Sequence, residues 1–226
     1  MQTKPLVAEF LGTFTLVFIG AGAAALAVST GIGLVGVALA HGIALTVIVY
    51  AWGAVSGAHV NPAVSVALAA VGRIPWRQAG LYVVVQLVAA AVAALFLSFL
   101  VGTTGNLGMT LPGPDVSVAQ AVVAEAVLTF FLVAAVFGSA VAERNGNAGG
   151  LAIGLVLAMD ILVGGSLTGG SMNPARTFGP ALAMGNFDQI WIYFVGPLAG
   201  GGLAAWVYER LILREPERPR RRRKAA

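Results

Sequence analysis

Two stretches of the sequence decide the fold: residues 57–65, "GAHVNPAVS", and residues 169–177, "GGSMNPART". Both contain the triplet Asn-Pro-Ala, and the second triplet lies 112 positions after the first. Each triplet opens a short apolar run, 61–71 and 173–184. Asn is a preferred N-cap, and Pro is favoured at the first position of a helix. Each triplet therefore predicts the start of a short helix.

The composition predicts a membrane protein. Of the 226 residues, 58% are hydrophobic and only 10% are charged, whereas soluble domains carry roughly 25% charged residues. A membrane crossing takes about 20 apolar residues, so the length suits a single domain, 1–226, with about six crossings. Because cysteine is absent and there are only two, distant histidines, we expect no disulfide, no metal site and no cofactor.

The apolar runs predict six spans and two shorter segments between them. Uninterrupted runs lack the alternation of a membrane barrel, so the spans should be helices. At about 1.5 Å per residue, the two Asn-Pro-Ala runs reach roughly half of the hydrocarbon thickness. They are too short to cross and too apolar for water, which predicts re-entrant half-helices in an all-α integral membrane fold. The predicted spans are 6–28, 34–53, 79–101, 117–141, 149–165 and 190–212.

The two halves of the chain, about 5–101 and 117–212, resemble one another. "AEFLGTFTLVF" from Ala8 matches "AEAVLTFFLVA" from Ala124. Each half holds three spans and one half-helix, and an odd number of spans forces the second copy to insert upside down. The sequence therefore predicts an inverted repeat of three helices.

The basic residues predict which side of the membrane holds the termini. With a cytoplasmic N-terminus, all Lys and Arg residues except Arg176 fall inside, whereas the outer loops hold Asp115 and Asp188. The excess of Lys and Arg on the cytoplasmic side then places both termini inside. The run 220–224, "RRRRK", could suggest a nucleic-acid partner, but in a membrane chain the tail 213–226 is better explained as a cytoplasmic segment near anionic lipid. We expect a prokaryotic cell membrane and no nucleic-acid partner.

The paired helix starts also predict a function. In an inverted repeat they meet near the bilayer centre, where free N–H groups and the positive ends of two helix dipoles converge. The amides of Asn61 and Asn173 can donate hydrogen bonds into the space between them. Such a site repels cations and orients passing water molecules, which breaks a proton-conducting chain. The alternative is that both motifs only cap buried helices, but their matching positions in the repeat favour a pore.

These motifs resemble those of a known family. "SGAHVNPAVS", "GGSMNPARTFGPAL", "AEF" and "VGPLAGG" are similar to segments of the aquaporin, or major intrinsic protein, family, and the resemblance covers residues 5–212. It implies a passive channel for water and small neutral solutes in the lipid bilayer, assembled as a homotetramer with one pore in each subunit. The pore-centre residues that it implies are Asn61, Pro62, Ala63, Asn173, Pro174 and Ala175.

The resemblance also implies a selectivity filter, which the spacing from Asn61 and Asn173 places on four residues. They are His41, Ile161, Gly170 and Arg176. Strictly water-selective members usually carry Phe, His and Cys or Thr at the first three positions. His, Ile and Gly instead resemble plant tonoplast-type aquaporins, some of which pass ammonia. The loop 102–116 lacks the histidine that ammonia-permeable members use.

Arg176 itself needs a watery surrounding, because a charge at this depth of the membrane is otherwise costly. The alternative is an arginine held by backbone carbonyl groups alone.

A glycerol facilitator is the main alternative function. Members of that type usually carry Asp where Thr177 stands and a basic residue where Ala181 stands. They also carry Pro, then Leu or Ile, where Tyr193 and Phe194 stand. All four positions favour water, although Phe194 differs from the Trp expected of water channels.

Two intramembrane carboxylates occupy equivalent places in the two halves, Glu9 and Glu125. Such a residue is by default a functional candidate, for example in a proton relay. The repeat favours a structural role, in which each carboxylate accepts hydrogen bonds from the non-helical backbone that leads to a half-helix.

Two further polar residues leave alternatives open. Asp160 has Ile48 as its counterpart in the first half. We predict a packed, hydrogen-bonded Asp, with an electrostatic partner of His41 or Arg176 as the alternative. His59 either lines the cytoplasmic vestibule or only packs in its loop.

Two other function classes compete with a channel. A proton-coupled transporter would use Asp160, Glu9 and Glu125, and a membrane-embedded enzyme would need a catalytic grouping. The sequence offers no Cys and no plausible Ser-His-Asp set. Because neither class accounts for the paired half-helix starts, we predict a channel and not an enzyme.

Overall fold

The chain is helical throughout the part that the structure, a computed structural model, describes: residues 3–142 and 148–213. Arg144 and the basic run 220–224, which the topology prediction uses, lie outside these ranges. The described α-helices are α1 (Thr3–Thr30), α2 (Gly33–Ser56), α3 (Pro62–Ala70), α4 (Trp76–Val101), α5 (Val118–Val136), α6 (Gly149–Thr168), α7 (Pro174–Met184) and α8 (Ile192–Val207). A π-helical turn extends α5 over Phe137–Val141, and another extends α8 over Tyr208–Ile212.

The predicted spans are all present as helices. Five of them, α1, α2, α4, α5 with its π turn, and α6, are 20 to 28 residues long and apolar enough to cross a membrane. The sixth, α8, has 16 residues and reaches the predicted end of its span only through the π turn to Ile212. The two half-helices, α3 and α7, have 9 and 11 residues. This is the predicted all-α membrane fold.

Two spans run three residues past their predicted C-terminal ends. The helices α2 and α6 continue to Ser56 and Thr168, where the sequence has become polar. Each ends only at the following glycine, Gly57 with φ 90° and Gly169 with φ 82°. A glycine in the left-handed conformation is the usual end of a helix, and hydropathy alone does not detect it.

The packing follows the inverted repeat. In the first half α1 packs against α2 and α4, and in the second half α5 packs against α6 and α8. The contact between α2 and α6 joins the halves, and α3 and α7 lie against α8 and α4. Small residues allow these helices to approach closely, as at Gly42, where an added Cβ would lie 2.6 Å from the carbonyl oxygen of Gly154.

Gly200 provides a test of this packing. A Cβ at Gly200 of α8 would overlap the backbone carbonyl of Ala126 in α5. Overpacking of this kind costs about 1–3 kcal/mol, so Gly200→Ala should lower the melting temperature of the detergent-solubilised protein by several degrees. Gly202→Ala is the matched control, since a Cβ at Gly202 meets no atom within 4 Å. Equal melting temperatures of the two variants would contradict the packing described here.

Candidate functional site

The two asparagines cap the two half-helices. Asn61 Oδ1 accepts a hydrogen bond from the Ala63 N–H at 2.8 Å. Asn173 Oδ1 accepts from the N–H groups of Ala175 and Arg176 at 3.0 and 3.2 Å. A proline occupies the first turn of each half-helix, where a missing N–H has no cost. The local sequence therefore explains why both helices begin at these residues.

The side-chain amides of the same asparagines link the two halves. Asn61 Nδ2 donates to the carbonyl oxygen of Met172 at 2.8 Å, and Asn173 Nδ2 donates to that of Val60 at 2.8 Å. Each amide nitrogen carries two protons, so one proton on each remains available to a molecule beside it. The starts of α3 and α7 thus meet, and each presents a spare donor.

The backbone before each half-helix is held in an uncommon conformation. Val60 and Met172 have φ values of 44° and 51°, and Ala58 and Gly170 have values of 47° and 60°. Non-glycine residues rarely adopt the left-handed region, and they persist there only where their surroundings fix them. Hydrogen bonds to the two buried carboxylates provide that fixation.

Glu9 binds the backbone before α3. Its Oε1 accepts from the His59 N–H at 2.9 Å and from Ser56 Oγ at 2.7 Å. Its Oε2 accepts from the Val60 N–H and from Gln86 Nε2, both at 2.8 Å. Glu9 is fully buried, so these four donors replace the water that the carboxylate loses.

Glu125 binds the backbone before α7 in the equivalent way. Its Oε1 accepts from the Ser171 N–H at 3.0 Å and from Thr168 Oγ1 at 2.6 Å, and its Oε2 accepts from the Met172 N–H at 2.7 Å. The two glutamates therefore make the contacts of the structural role described above. None of these contacts requires either carboxylate to take up or release a proton.

Two tyrosines that the repeat pairs, Tyr82 and Tyr193, support this arrangement, a role that sequence reasoning missed. Tyr82 Oη donates to the carbonyl oxygen of Ser56 at 3.0 Å, and Tyr193 Oη donates to that of Thr168 at 2.7 Å. The four residues lie at equivalent places in the two halves. A comparison of polar residues at offsets of 111 and 112 positions would have found them.

A chain of hydroxyl groups was also missed in the second half. Thr177 Oγ1 lies 2.7 Å from Thr110 Oγ1 and 2.6 Å from Ser171 Oγ. Ser171 Oγ in turn donates to the carbonyl oxygen of Asn173 at 2.9 Å. This chain ties the loop that follows α4 to the start of α7.

A narrow inner cavity of about 50 Å³ lies beside the paired asparagines. A buried water needs about 10–15 Å³ measured in this way, so the cavity has room for a few water molecules. Its polar lining side chains are His41, His59, Asn61, Ser171, Asn173 and Arg176. Its apolar lining includes Leu16, Leu45, Val64, Leu132, Ile153 and Leu157. The polar lining residues can thus hydrogen-bond to water, whereas the apolar ones cannot.

A second, open cavity of about 540 Å³ lies next to the first one. Ile161 and Gly108 line it, and Arg176 lines both cavities. Arg176 therefore marks the boundary between the inner cavity and the open one. Gly170 lines neither of them; it packs against α6, where an added Cβ would lie 3.2 Å from the backbone nitrogen of Gly165.

Arg176 is 3% exposed and has one carbonyl partner, since its Nη1 donates to the Gly108 oxygen at 2.6 Å. Its Nε has no partner among residues 3–142 and 148–213. Gly108 ends a short turn, Thr104–Gly108, in which Asn106 and Leu107 have φ values near 50°. A Cβ at Gly108 would overlap the backbone carbonyl of Ala21 in α1. The arginine is thus held from one side by a tightly packed turn and faces the cavities with its remaining donors.

His41 makes one hydrogen bond through its ring. Its Nδ1 lies 2.9 Å from the carbonyl oxygen of Val37. Because a carbonyl only accepts, Nδ1 carries the proton, and the Nε2 of a neutral ring is an acceptor. This Nε2 has no partner within the described part of the chain.

The absence of a side chain at Gly20 makes room for the His41 ring. A Cβ at Gly20 would overlap His41 Cδ2 and Nε2, whereas a Cβ at Gly22 would make an ordinary contact of 3.4 Å with Leu97. Gly20→Ala should therefore displace the ring and change osmotic water permeability at least about twofold, and Gly22→Ala should leave it unchanged. Stopped-flow light scattering of proteoliposomes measures both variants. The same permeability for Gly20→Ala and the unchanged protein would argue against His41 as a wall of the pore.

Asp160 differs from its prediction as a hydrogen-bonded residue. It is 1% exposed, and neither carboxylate oxygen has a hydrogen-bond partner among the residues that the structure describes. It makes no hydrogen bond to His41 or Arg176 either. The predicted hydrogen bonds of this carboxylate are therefore not present among the described residues.

His59 combines the two roles that were left open. His59 lines the inner cavity, its Nδ1 lies 3.0 Å from Ser65 Oγ, and its ring lies at 73° to the Tyr82 ring with a centroid distance of 5.1 Å. It is therefore both a wall residue and a packed one.

Comparisons with known proteins identify the family of the chain. The sequence profile of the major intrinsic protein family matches residues 1–208. Aquaporin TIP4-4 of Zea mays is 43% identical over 222 residues, 93% of this chain and 87% of that protein. Aquaporin NIP1-1 of Zea mays is 41% identical over 210 residues, 91% of this chain and 73% of that protein.

A solved structure is also similar. The X-ray structure of the aquaglyceroporin from Plasmodium falciparum matches with a TM-score of 0.84 and 25% identity, and the match covers 93% of this chain and 97% of that one. The two relatives are plant proteins, which does not support the expected prokaryotic membrane. Members of the matching family are multi-pass membrane channels and not enzymes. The chain belongs to the major intrinsic protein family, whose channels pass water or small solutes.

Proposed function

We propose that the chain is a passive channel for water. The observation that carries the proposal is the inner cavity beside the crossed amides of Asn61 and Asn173. Spare amide protons and an otherwise mostly apolar lining let water molecules pass in single file while binding them only briefly. The narrow volume of about 50 Å³ favours water over larger solutes.

The same geometry supports the exclusion of protons and other cations. The N-termini of α3 and α7 direct the positive ends of two helix dipoles to one place, and the guanidinium of Arg176 adds a full charge at the neighbouring boundary. A water molecule that accepts hydrogen bonds from both asparagines cannot pass a proton along the file. The residues Pro62, Ala63, Pro174 and Ala175 support the function by starting the half-helices.

We further propose that both termini lie on the cytoplasmic face and that the chain forms a homotetramer. The first proposal is supported by the described basic residues. Arg77 lines the same groove as Pro5, and Pro5 follows Lys4 directly in the sequence. Arg73 binds Glu209 in the π turn that extends α8. These residues therefore share one face, as the excess of cytoplasmic Lys and Arg requires. The second proposal rests on the family. Cross-linking in native membranes should give a ladder that ends at four subunits.

Ammonia is a second candidate solute. Ile161 gives the open cavity an apolar wall at the filter, where a histidine would offer a hydrogen bond to water. A neutral, weakly hydrated molecule should pass such a wall more easily than through a fully polar ring. Vesicles that contain the protein should alkalinise faster than empty ones in an ammonium gradient, and equal rates would remove ammonia from the solutes.

Stopped-flow light scattering tests the main proposal. Proteoliposomes in a hyperosmotic step should shrink many times faster than empty liposomes, with a low activation energy and no ionic current. Steps with glycerol and urea are run in parallel, since a similar fold occurs in an aquaglyceroporin. Glycerol entry as fast as water exit would show that the protein is a polyol facilitator. Solute uptake that stops when the proton gradient collapses would show that it is a proton-coupled transporter.

A further inference from the structure

A groove of about 330 Å³ lies between the starts of α1 and α4, away from the pore. Its size is at the lower end of the range of about 300–1,000 Å³ that is typical of ligand pockets. Its apolar wall includes Pro5, Leu6 and Leu81, and its polar wall contains Arg77, Gln78 and Tyr82. Arg77 lies in the first turn of α4 and Leu81 one turn further along the helix, so the groove has a charged residue at the helix start, called its charged end here, and apolar residues beyond it.

Arg77 at the charged end has no acidic partner within the described residues. By contrast, Arg73, four positions earlier, binds Glu209 through two hydrogen bonds of 2.9 and 3.1 Å. The nearby Glu9 is fully buried and accepts four hydrogen bonds from other groups. An anion for Arg77 must therefore come from outside the described part of the chain.

The surroundings of the groove match the boundary between lipid headgroups and acyl chains. Trp76, beside Arg77, is 61% exposed, and Trp is enriched at the membrane interface. From Leu81, exposed side chains continue along the same face of α4 at Val84 and Val88. An acyl chain that begins at Leu81 can follow this face into the hydrocarbon region.

We propose that this groove binds an anionic phospholipid, with its phosphate on Arg77 and an acyl chain against Leu6 and Leu81. A zwitterionic lipid offers the same chain but no net charge, and free phosphate offers the charge but no chain. The groove fits an anionic phospholipid, because this molecule has both the net charge and the acyl chain. This proposal does not depend on which solute passes the pore.

A bound lipid would also contact Gln78 and Tyr82, which support the loop before α3 at the pore entrance. Gln78 Nε2 donates to Tyr82 Oη at 3.1 Å, and Tyr82 Oη donates to the carbonyl oxygen of Ser56 at 3.0 Å. The Tyr82 ring also packs against the ring of His59, which lines the inner cavity. A lipid in the groove should therefore stabilise the loop before α3.

Native mass spectrometry of the full chain in detergent tests the proposal with phosphatidylglycerol, phosphatidylcholine and inorganic phosphate as separate probes. Arg77→Gln should weaken phosphatidylglycerol binding about fivefold, the loss expected for one Arg at a lipid surface. Arg73→Gln is the matched control, because it removes the same charge from the same face and keeps the basic tail. It should change the affinity less than about twofold.

Leu6→Trp tests the apolar end at constant charge. The indole should fill the groove and weaken phosphatidylglycerol binding at least about fivefold, while the melting temperature without lipid shows that the variant is folded. Equal losses in Arg73→Gln and Arg77→Gln would overturn the proposal in favour of diffuse attraction to the basic face. Equal binding of phosphatidylcholine, or unchanged binding by folded Leu6→Trp, would overturn it as well.

Discussion

Arg176→Val is expected to raise the proton leak of proteoliposomes at least about tenfold while water permeability changes little. A unit charge at about 4 Å contributes roughly 4 kcal/mol at an effective dielectric constant of 20, and every 1.4 kcal/mol is a factor of ten. The half-helix dipoles remain in the variant, so only part of this barrier is lost. Valine is a suitable replacement, because Val64 occupies the equivalent place in α3 and also lines the inner cavity. The shorter side chain should also raise urea and glycerol permeability.

The decay of an imposed pH gradient, followed with an enclosed pH-sensitive dye and with valinomycin to balance charge, measures the leak. Arg73→Gln is the control, since Arg73 is exposed and paired with Glu209 away from the cavities. Arg176→Val also leaves the carbonyl of Gly108 without its partner, so the melting temperature of this variant must be checked. A folded Arg176→Val protein with an unchanged leak would show that the guanidinium is no part of the cation barrier.

Glu125→Ala is expected to prevent the recovery of folded protein. The change leaves two buried backbone N–H groups without their acceptor. It also removes the shorter of the two hydrogen bonds of the Thr168 hydroxyl, which keeps a bond of 3.3 Å to the Gly164 oxygen. Each unpaired buried group costs about 1–3 kcal/mol, and the total is a large part of the roughly 5–15 kcal/mol by which proteins are stable. Glu9→Ala removes the acceptor of four donors and should be at least as damaging. Size-exclusion chromatography and thermal melting in detergent measure both losses.

Glu209→Gln is the matched control, because its carboxylate is partly exposed in an ion pair with Arg73. Exposed pairs contribute about 0–1 kcal/mol, so this variant should melt close to the unchanged protein. Glu125→Gln separates the structural role from a proton relay. A Glu125→Gln protein that melts normally but no longer transports would favour the relay and contradict the assignment made here.

The sequence was sufficient for the fold because the decisive signals are local. Six apolar runs, two Asn-Pro helix starts and an odd number of spans in each half leave one arrangement, and the predicted spans and half-helices are present. Helix ends were less accurate: α2 and α6 run three residues past the apolar runs. The polar Ser56 and Thr168 end the hydropathy signal, but their hydroxyl groups have buried carboxylate partners.

Less of the site could be predicted, because its contacts join residues that are far apart in sequence. Spacing predicted a filter of four residues; His41 and Arg176 line the inner cavity and Ile161 lines the open one. The spacing did not indicate that Gly170 packs against α6. No local pattern indicated that Gly108 would hold Arg176, since that contact depends on a left-handed turn packed on α1. No local pattern indicated that the carboxylate oxygens of Asp160 would lack a hydrogen-bond partner among the described residues.

The crossed bonds from Asn61 to Met172 and from Asn173 to Val60 have a consequence for biosynthesis. The acceptor for Asn61 is translated 111 residues later, so the N-terminal half leaves the ribosome with this amide unsatisfied. Mutual docking of the two halves must therefore be a late assembly step. Each half serves as the template on which the other acquires its final shape.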